Sequence, residues 1–157
     1  MASTITSGTL TVKVTETISL NSTNYDSVNI LTVPSVNEIS QRIVTITPQA
    51  TVVLFTFSSE AGRGEYVDTN VQYLRITNKD DTHSVAINVQ TTGGGGSNNW
   101  IIVNAGRSFM LGSSVTSMQA VASSVVGVPA LQDIEKITAY GPTAAAPLDL
   151  ECYIAST

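Results

Sequence analysis

Residues 70–90 read Asn-Val-Gln-Tyr-Leu-Arg-Ile-Thr-Asn-Lys-Asp-Asp-Thr-His-Ser-Val-Ala-Ile-Asn-Val-Gln, and their pattern decides the fold class. Leu74 and Ile76 share one face of an extended chain, and Val71, Tyr73 and Arg75 share the other. After Lys79-Asp80-Asp81-Thr82 the alternation resumes, with Val85, Ile87 and Val89 in phase against Ala86, Asn88 and Gln90. Two period-two runs around a polar cluster rich in Asp and Asn predict a β-hairpin. The other strands are expected to lie around it.

The same period recurs on both sides. In Gly8–Leu20 the residues Leu10, Val12, Val14, Ile18 and Leu20 alternate with Thr and Ser, and Glu16 stands in the apolar phase. Either a bulge shifts Glu16 or the strand leaves the core there. Val28–Val33 reads as a short strand stopped by Pro34, and Arg42–Thr47 as one ended by Pro48. Thr51–Phe57 is apolar on both faces, as in a strand covered on each side. Trp100–Val103 and Arg107–Leu111 predict a second hairpin around Asn104-Ala105-Gly106. In Leu148–Ile154 the set Leu148, Leu150, Cys152 and Ile154 points inward. With Ile134–Tyr140 this makes roughly nine to ten short strands and no helical period. The expectation is an all-β chain forming a single antiparallel β-sandwich over 1–157, jelly-roll-like. Residues 1–7 are read as an N-terminal arm, Asn21–Ser27, Ser58–Asp68 and Thr91–Asn99 as loops. The span 113–128 carries no assignable pattern.

Composition narrows function. Charged residues are 12% of the chain, about half the usual share, so charge solubilises the surface weakly and part of it is expected to meet a partner. The seven Lys and Arg are scattered, which argues against nucleic acid. One cysteine, Cys152, excludes an intrachain disulfide and a multi-thiolate zinc site. The start Met-Ala-Ser-Thr-Ile-Thr has no signal-peptide character and no long apolar run follows, so synthesis in a cytoplasm and no membrane span are expected.

No reaction is legible. His83 beside Asp80 and Asp81 lacks a nucleophile motif and reads as a turn residue. The two aspartates lack the spacing of a calcium loop. Gly93–Gly96 lacks the Lys-Ser/Thr and helix of a phosphate cradle. Glu65, Asp68 and Glu38 offer carboxylates, with nothing in the sequence to pair them. No cofactor is implied. Trp100, Tyr66, Tyr73 and Tyr25 are the aromatics from which a sugar-stacking platform could be built. Tyr73 and Arg75, opposite Leu74 and Ile76, either complete a second packed layer or touch a partner, and with Trp100 and Tyr66 they are the expected contact residues.

Several stretches together carry a resemblance: Gly8-Thr-Leu-Thr-Val-Lys-Val-Thr-Glu16, Val36-Asn-Glu-Ile-Ser-Gln-Arg-Ile-Val44, Tyr73-Leu-Arg-Ile-Thr-Asn-Lys-Asp-Asp-Thr82, Ala105-Gly-Arg-Ser-Phe-Met-Leu-Gly112 and Glu151-Cys-Tyr-Ile-Ala-Ser-Thr157. The series resembles small virion structural proteins of tailed phages, particularly those infecting marine bacteria. It implies a particle component without enzymatic activity, made in the bacterial cytoplasm and carried on the virion. The expected role is capsid decoration or cement, with the major capsid protein and lattice neighbours or further copies of itself as partners. The alternative is a receptor- or glycan-binding knob or fibre module, with a host-surface glycan as its ligand.

Overall fold

The computed structural model describes residues 6–92, 98–112, 118–121, 131–141 and 147–157, and within them the chain is β-strand and connection only. The strands are β1 (Gly8–Glu16), β2 (Ser19–Leu20), β3 (Thr23–Asn24), β4 (Ser27–Val36), β5 (Glu38–Ile46), β6 (Thr51–Ser58) and β7 (Tyr66–Val67). They continue with β8 (Val71–Asn78), β9 (Val85–Thr91), β10 (Asn98–Val103), β11 (Ser108–Gly112), β12 (Gln119–Val121), β13 (Leu131–Tyr140) and β14 (Leu148–Ser156).

Two sheets make the sandwich. Sheet I runs β10-β9-β13-β6, with β7 parallel to the end of β6 and β12 beside β13; sheet II runs β11-β8-β14-β5. Numbered among themselves in chain order, the eight long strands pair first-eighth-third-sixth and second-seventh-fourth-fifth, which is the order of a jelly roll. The expected all-β antiparallel sandwich is what the chain forms.

Both predicted hairpins are corrected. β8 pairs with β14 and β11, while β9 pairs with β10 and β13, so the turn at 79–84 carries the chain from one sheet to the other. The turn at 104–107 does the same between β10 and β11. These are arches. Leu74 and Ile76 face Val85, Ile87 and Val89 across the core instead of lying beside them in one sheet. Alternation says which side chains face inward and is silent on which strand lies alongside.

Buried polar chemistry joins the two arches. Asn78 is fully buried; its Nδ2 donates to His83 O (2.8 Å) in one arch and Val103 O (3.2 Å) at the foot of the other. Its Oδ1 accepts from Asp80 N (3.1 Å), and its own N–H donates to Arg107 O (2.9 Å). Gly106, at φ +66°, donates from its N–H to Asp80 O. A side chain at that φ would be strained, which suits glycine.

Other boundaries shift for local reasons. β4 passes through Pro34, because the register to β1 jumps between Val33 and Val36 and the absent N–H is not needed there. A bulge at Gln72 turns Val71 to the Leu74 side, away from Tyr73. Another at Leu54 leaves that carbonyl outside the ladder, and the Arg42 guanidinium donates to it while lying 5.6 Å from the Phe55 ring centre. Arg42 thus clamps β5 to β6 across the open side of the sandwich. Thr51–Phe57 is not covered on both faces: Val53 is exposed. The 58–68 connection contains β7, and Tyr66 packs edge-on to Phe55 at 6.0 Å. Within 21–27, only Asn21 and Ser22 (φ 50° and 63°) form the turn, a tight one of the left-handed kind.

Among the described residues β1 and β4 pair only with each other, and this two-stranded arm lies across the outer face of sheet II. Its underside Leu10, Val12, Leu31, Val33 and Val36 packs on Tyr73, Tyr153 and Ala155. The row beneath it is Ile39, Ala155, Tyr73 and Gly112, one residue from each strand of sheet II. At Gly112 the fit is close: a Cβ there would sit 2.8 Å from Leu31 Cδ2. Past this point the arm leaves the sandwich, so Glu16 stands in the apolar phase because the strand has left the core. The arm expected over 1–7 falls mostly outside the described residues.

Asn78→Ala leaves two carbonyls and an N–H without partners at the junction of both arches. It is expected to lower stability by about 2–4 kcal/mol, measured by denaturant unfolding.

Candidate interaction surface

Four residues were expected at a contact, and two are in the core. Tyr66 belongs to the aromatic cluster with Phe55 and Phe57. Tyr73 is 6% exposed beneath the arm, 5.9 Å from Tyr153 in an edge-on pair, and burial raises its phenol pKa. Of the two roles open to Tyr73, the second packed layer is the one it takes. The signal was present in the sequence: Leu10, Val12, Leu31 and Val33 needed an apolar surface to lie on.

Arg75 remains at the surface, half-buried in a polar row on sheet II. Its Nη2 lies 3.3 Å from Glu151 Oε2 and its Nη1 donates to Thr77 Oγ1 at 2.8 Å. Gln41 Nε2 donates to the other Glu151 oxygen at 2.6 Å, and Thr77 and Ser108 hydroxyls meet at 2.8 Å. A partly exposed pair of this kind contributes about 0–1 kcal/mol, so the row orients side chains more than it stabilises the fold.

Trp100 is 51% exposed on the outer face of sheet I. The register places Asn88, Thr138 and Val53 in its row, with Ile102, Ala86 and Tyr140 in the next. Asn98 Oδ1 accepts from both Asn88 Nδ2 (2.8 Å) and Gln90 Nε2 (2.7 Å). Trp100, Ile102 and Val53 leave apolar area open on this face. The structure does not assemble the four aromatics into a platform, since Tyr66 and Tyr73 are buried in separate clusters and Tyr25 is on the arm.

The polar candidates are structural. Asp80 Oδ1 accepts from His83 N (2.6 Å) and Thr82 N (2.8 Å), with His83 Nδ1 at 3.3 Å. The backbone donors, His83 first, hold the Asp80 carboxyl below the ordinary value of 3.8. His83 is a turn residue of the arch. Glu38 accepts from Ser156 Oγ, and Asp68 accepts from Thr69 N, each within its own neighbourhood. Among the described residues no group of three His, Cys, Asp or Glu is placed to hold a metal. No helix there is long and apolar enough to cross a membrane. Cys152 is fully buried, and burial pushes its thiol up to about 11. The Gly93–Gly96 segment and most of 113–128 lie outside the described residues, except Met118 and β12.

The arm carries the largest exposed apolar set that sequence reasoning missed. Past Gly112 its underside presents Val14, Ile18, Leu20 and Tyr25, and its upper face Val28 and Ile30, all exposed. The Tyr25 N–H donates to Ile18 O at 2.8 Å, so the hairpin ladder holds to its tip. A monomer seldom leaves this much aliphatic surface on one projecting element.

The chain matches no family model and no curated protein sequence. Among solved structures it is similar to a protein of the Bacillus endospore appendages, which form a family of disulfide-linked pili. The match has 18% identity and a TM-score of 0.41, over 76% of this chain and 88% of that one. A likeness that remote carries nothing over to this chain.

Two measurements check the polar assignments. Cys152 is expected to resist thiol reagents in the folded protein at pH 8 and to react at once in denaturant. Because the folded Asp80 pKa is depressed, its stabilisation is full above about pH 4 and is lost as pH falls through the folded value. The stability advantage over Asp80→Asn, followed by chemical unfolding, should therefore shrink only in acid.

Proposed function

We propose that this chain is a structural component of a phage particle, an outer decoration or cement protein that binds the major capsid protein and stabilises the head. The observation that carries the reading is the arm: a hairpin laid on a rigid jelly roll, projecting beyond it with aliphatic side chains on both faces. Jelly rolls serve capsid, lectin and enzyme domains alike, so the fold does not select among them. The exposed surface supports a structural partner. Apolar area spread over both faces of a projecting element suits a broad protein partner. Low charge and hydroxyl-rich strand faces suit a contact repeated many times on a symmetric lattice, where each copy needs only modest affinity. The resemblance to virion proteins of tailed phages points the same way.

In this reading the upper face of the arm, Val28 and Ile30, meets the capsid, and the compartment is the virion surface after assembly in the host cytoplasm. A second reading rests on Trp100, whose exposed ring beside Asn88 and Asn98 suits stacking on a sugar.

Purified protein is expected to co-sediment with heads that lack it and to raise their melting temperature, and Val28→Asp with Ile30→Asp should abolish binding. Absence of binding to such heads would sink the decoration role. Glycan-array binding lost in Trp100→Ala would favour the second reading.

A further inference from the structure

Sheet II ends in two edges among the described residues: β11 pairs only with β8, and β5 only with β14. The arm crosses this sheet from one edge to the other. At its base a cleft of about 400 Å³ is lined by Gly8, Leu10, Val36 and Ile39, so the arm starts over β5. Farther along, Val12 and Leu31 line a second cleft of about 270 Å³ with Met110 and Gly112, so the arm is over β11 by then. The distances agree: three strand spacings span roughly 14 Å, and the rise from Gly8 to Val12 is about 13 Å. The arm therefore crosses the strands at a steep angle, with Val14 and Asn29 at the β11 edge and the hairpin tip beyond it.

That overhang keeps the alternation of the docked part. Val14, Ile18, Leu20 and Tyr25, with Glu16, Ser27 and Asn29 among them, continue the face that packs on sheet II, at the height where a sheet extended past β11 would present its own outer face. The opposite edge has the matching deficiency. On β5 the outward residues Ile39, which borders the cleft at the arm's base, and Ile43, two rows away, are each 58% exposed. β11 runs antiparallel to β8, β8 to β14 and β14 to β5, so a β5 strand set beside β11 in the same orientation meets it antiparallel.

We propose that copies of this chain join head to tail: β11 of one lies beside β5 of the next, and the overhanging arm underside covers the next copy's Ile39 and Ile43 beside that copy's own arm. The reach is sufficient, since from Val14 to Leu20 the arm extends about 20 Å, four strand spacings. A two-fold contact through β11 alone would leave Ile39 and Ile43 uncovered, with Met110 as the only large apolar side chain that β11 brings to it. A head-to-tail contact closes into a ring or runs on as a filament, depending on the rotation per step. It goes beyond the capsid reading and does not require it, because the contact lies between copies and uses residues other than Val28 and Ile30.

Sedimentation velocity and light scattering of the purified full-length chain, without capsids, test it. Wild type is expected to grow past dimer with concentration. Ile18→Asp/Leu20→Asp removes the arm contact and Ile39→Asp/Ile43→Asp the acceptor; both should be monomeric with unchanged near-ultraviolet circular dichroism, since all four residues are exposed. Mixed one to one, they should form a species of two chains and no larger, because the first keeps an intact β5 face and the second an intact arm. A wild type that stays monomeric, an acceptor variant that associates like wild type, or a mixture that stays monomeric would each overturn the proposal.

Discussion

The fold depends on one buried amide. Asn78 ends β8 where the chain must leave sheet II, and its side chain holds the crossing of both arches by bonding His83 O, Val103 O and Asp80 N. Backbone groups that change sheets lose their ladder partners, and buried unpaired groups are costly. Asn is suited to this position because one side chain supplies two donors and an acceptor at a fixed spacing. With the arches tied, Leu74 and Ile76 are set against Val85, Ile87 and Val89, and the core closes between the sheets.

The jelly roll then creates what it cannot finish. Its outer faces carry few charges, and beyond the arm's footprint Ile43 of β5 and the arm's own overhang remain apolar and exposed. A two-stranded hairpin is marginal by itself in water. This one is held at its base by Tyr73 and Tyr153 and projects with its ladder intact. Exposed edges ordinarily invite uncontrolled pairing. Here the arm starts beside Ile39 of β5 and extends past β11, so the two edges of the sheet differ.

Much of the candidate surface was legible at the level of single strands. Leu148, Leu150, Cys152 and Ile154 face inward, as their alternation requires, and Arg75 and Trp100 reach the surface. Tyr66 and Tyr73 are buried for different reasons. Tyr73 lies on the polar phase of its strand and looks exposed until the arm is known to cover it, whereas Tyr66 lies in a stretch read as a loop until β7 is known to pair with the end of β6. Arg42 escaped notice because its role depends on the bulge that frees Leu54 O, which no local pattern announces.

The sequence by itself determined that the chain is all-β and, strand by strand, which side chains alternate toward the core. Those properties follow from side-chain period and composition, which are local. Strand partners were decided only in three dimensions. A polar turn between two alternating runs reads alike whether the runs pair within one sheet or face each other across two. For 70–90 the outcome was set by β14, far along the chain, which takes the place beside β8 that β9 would have filled, and by Asn78, which stabilises the crossing.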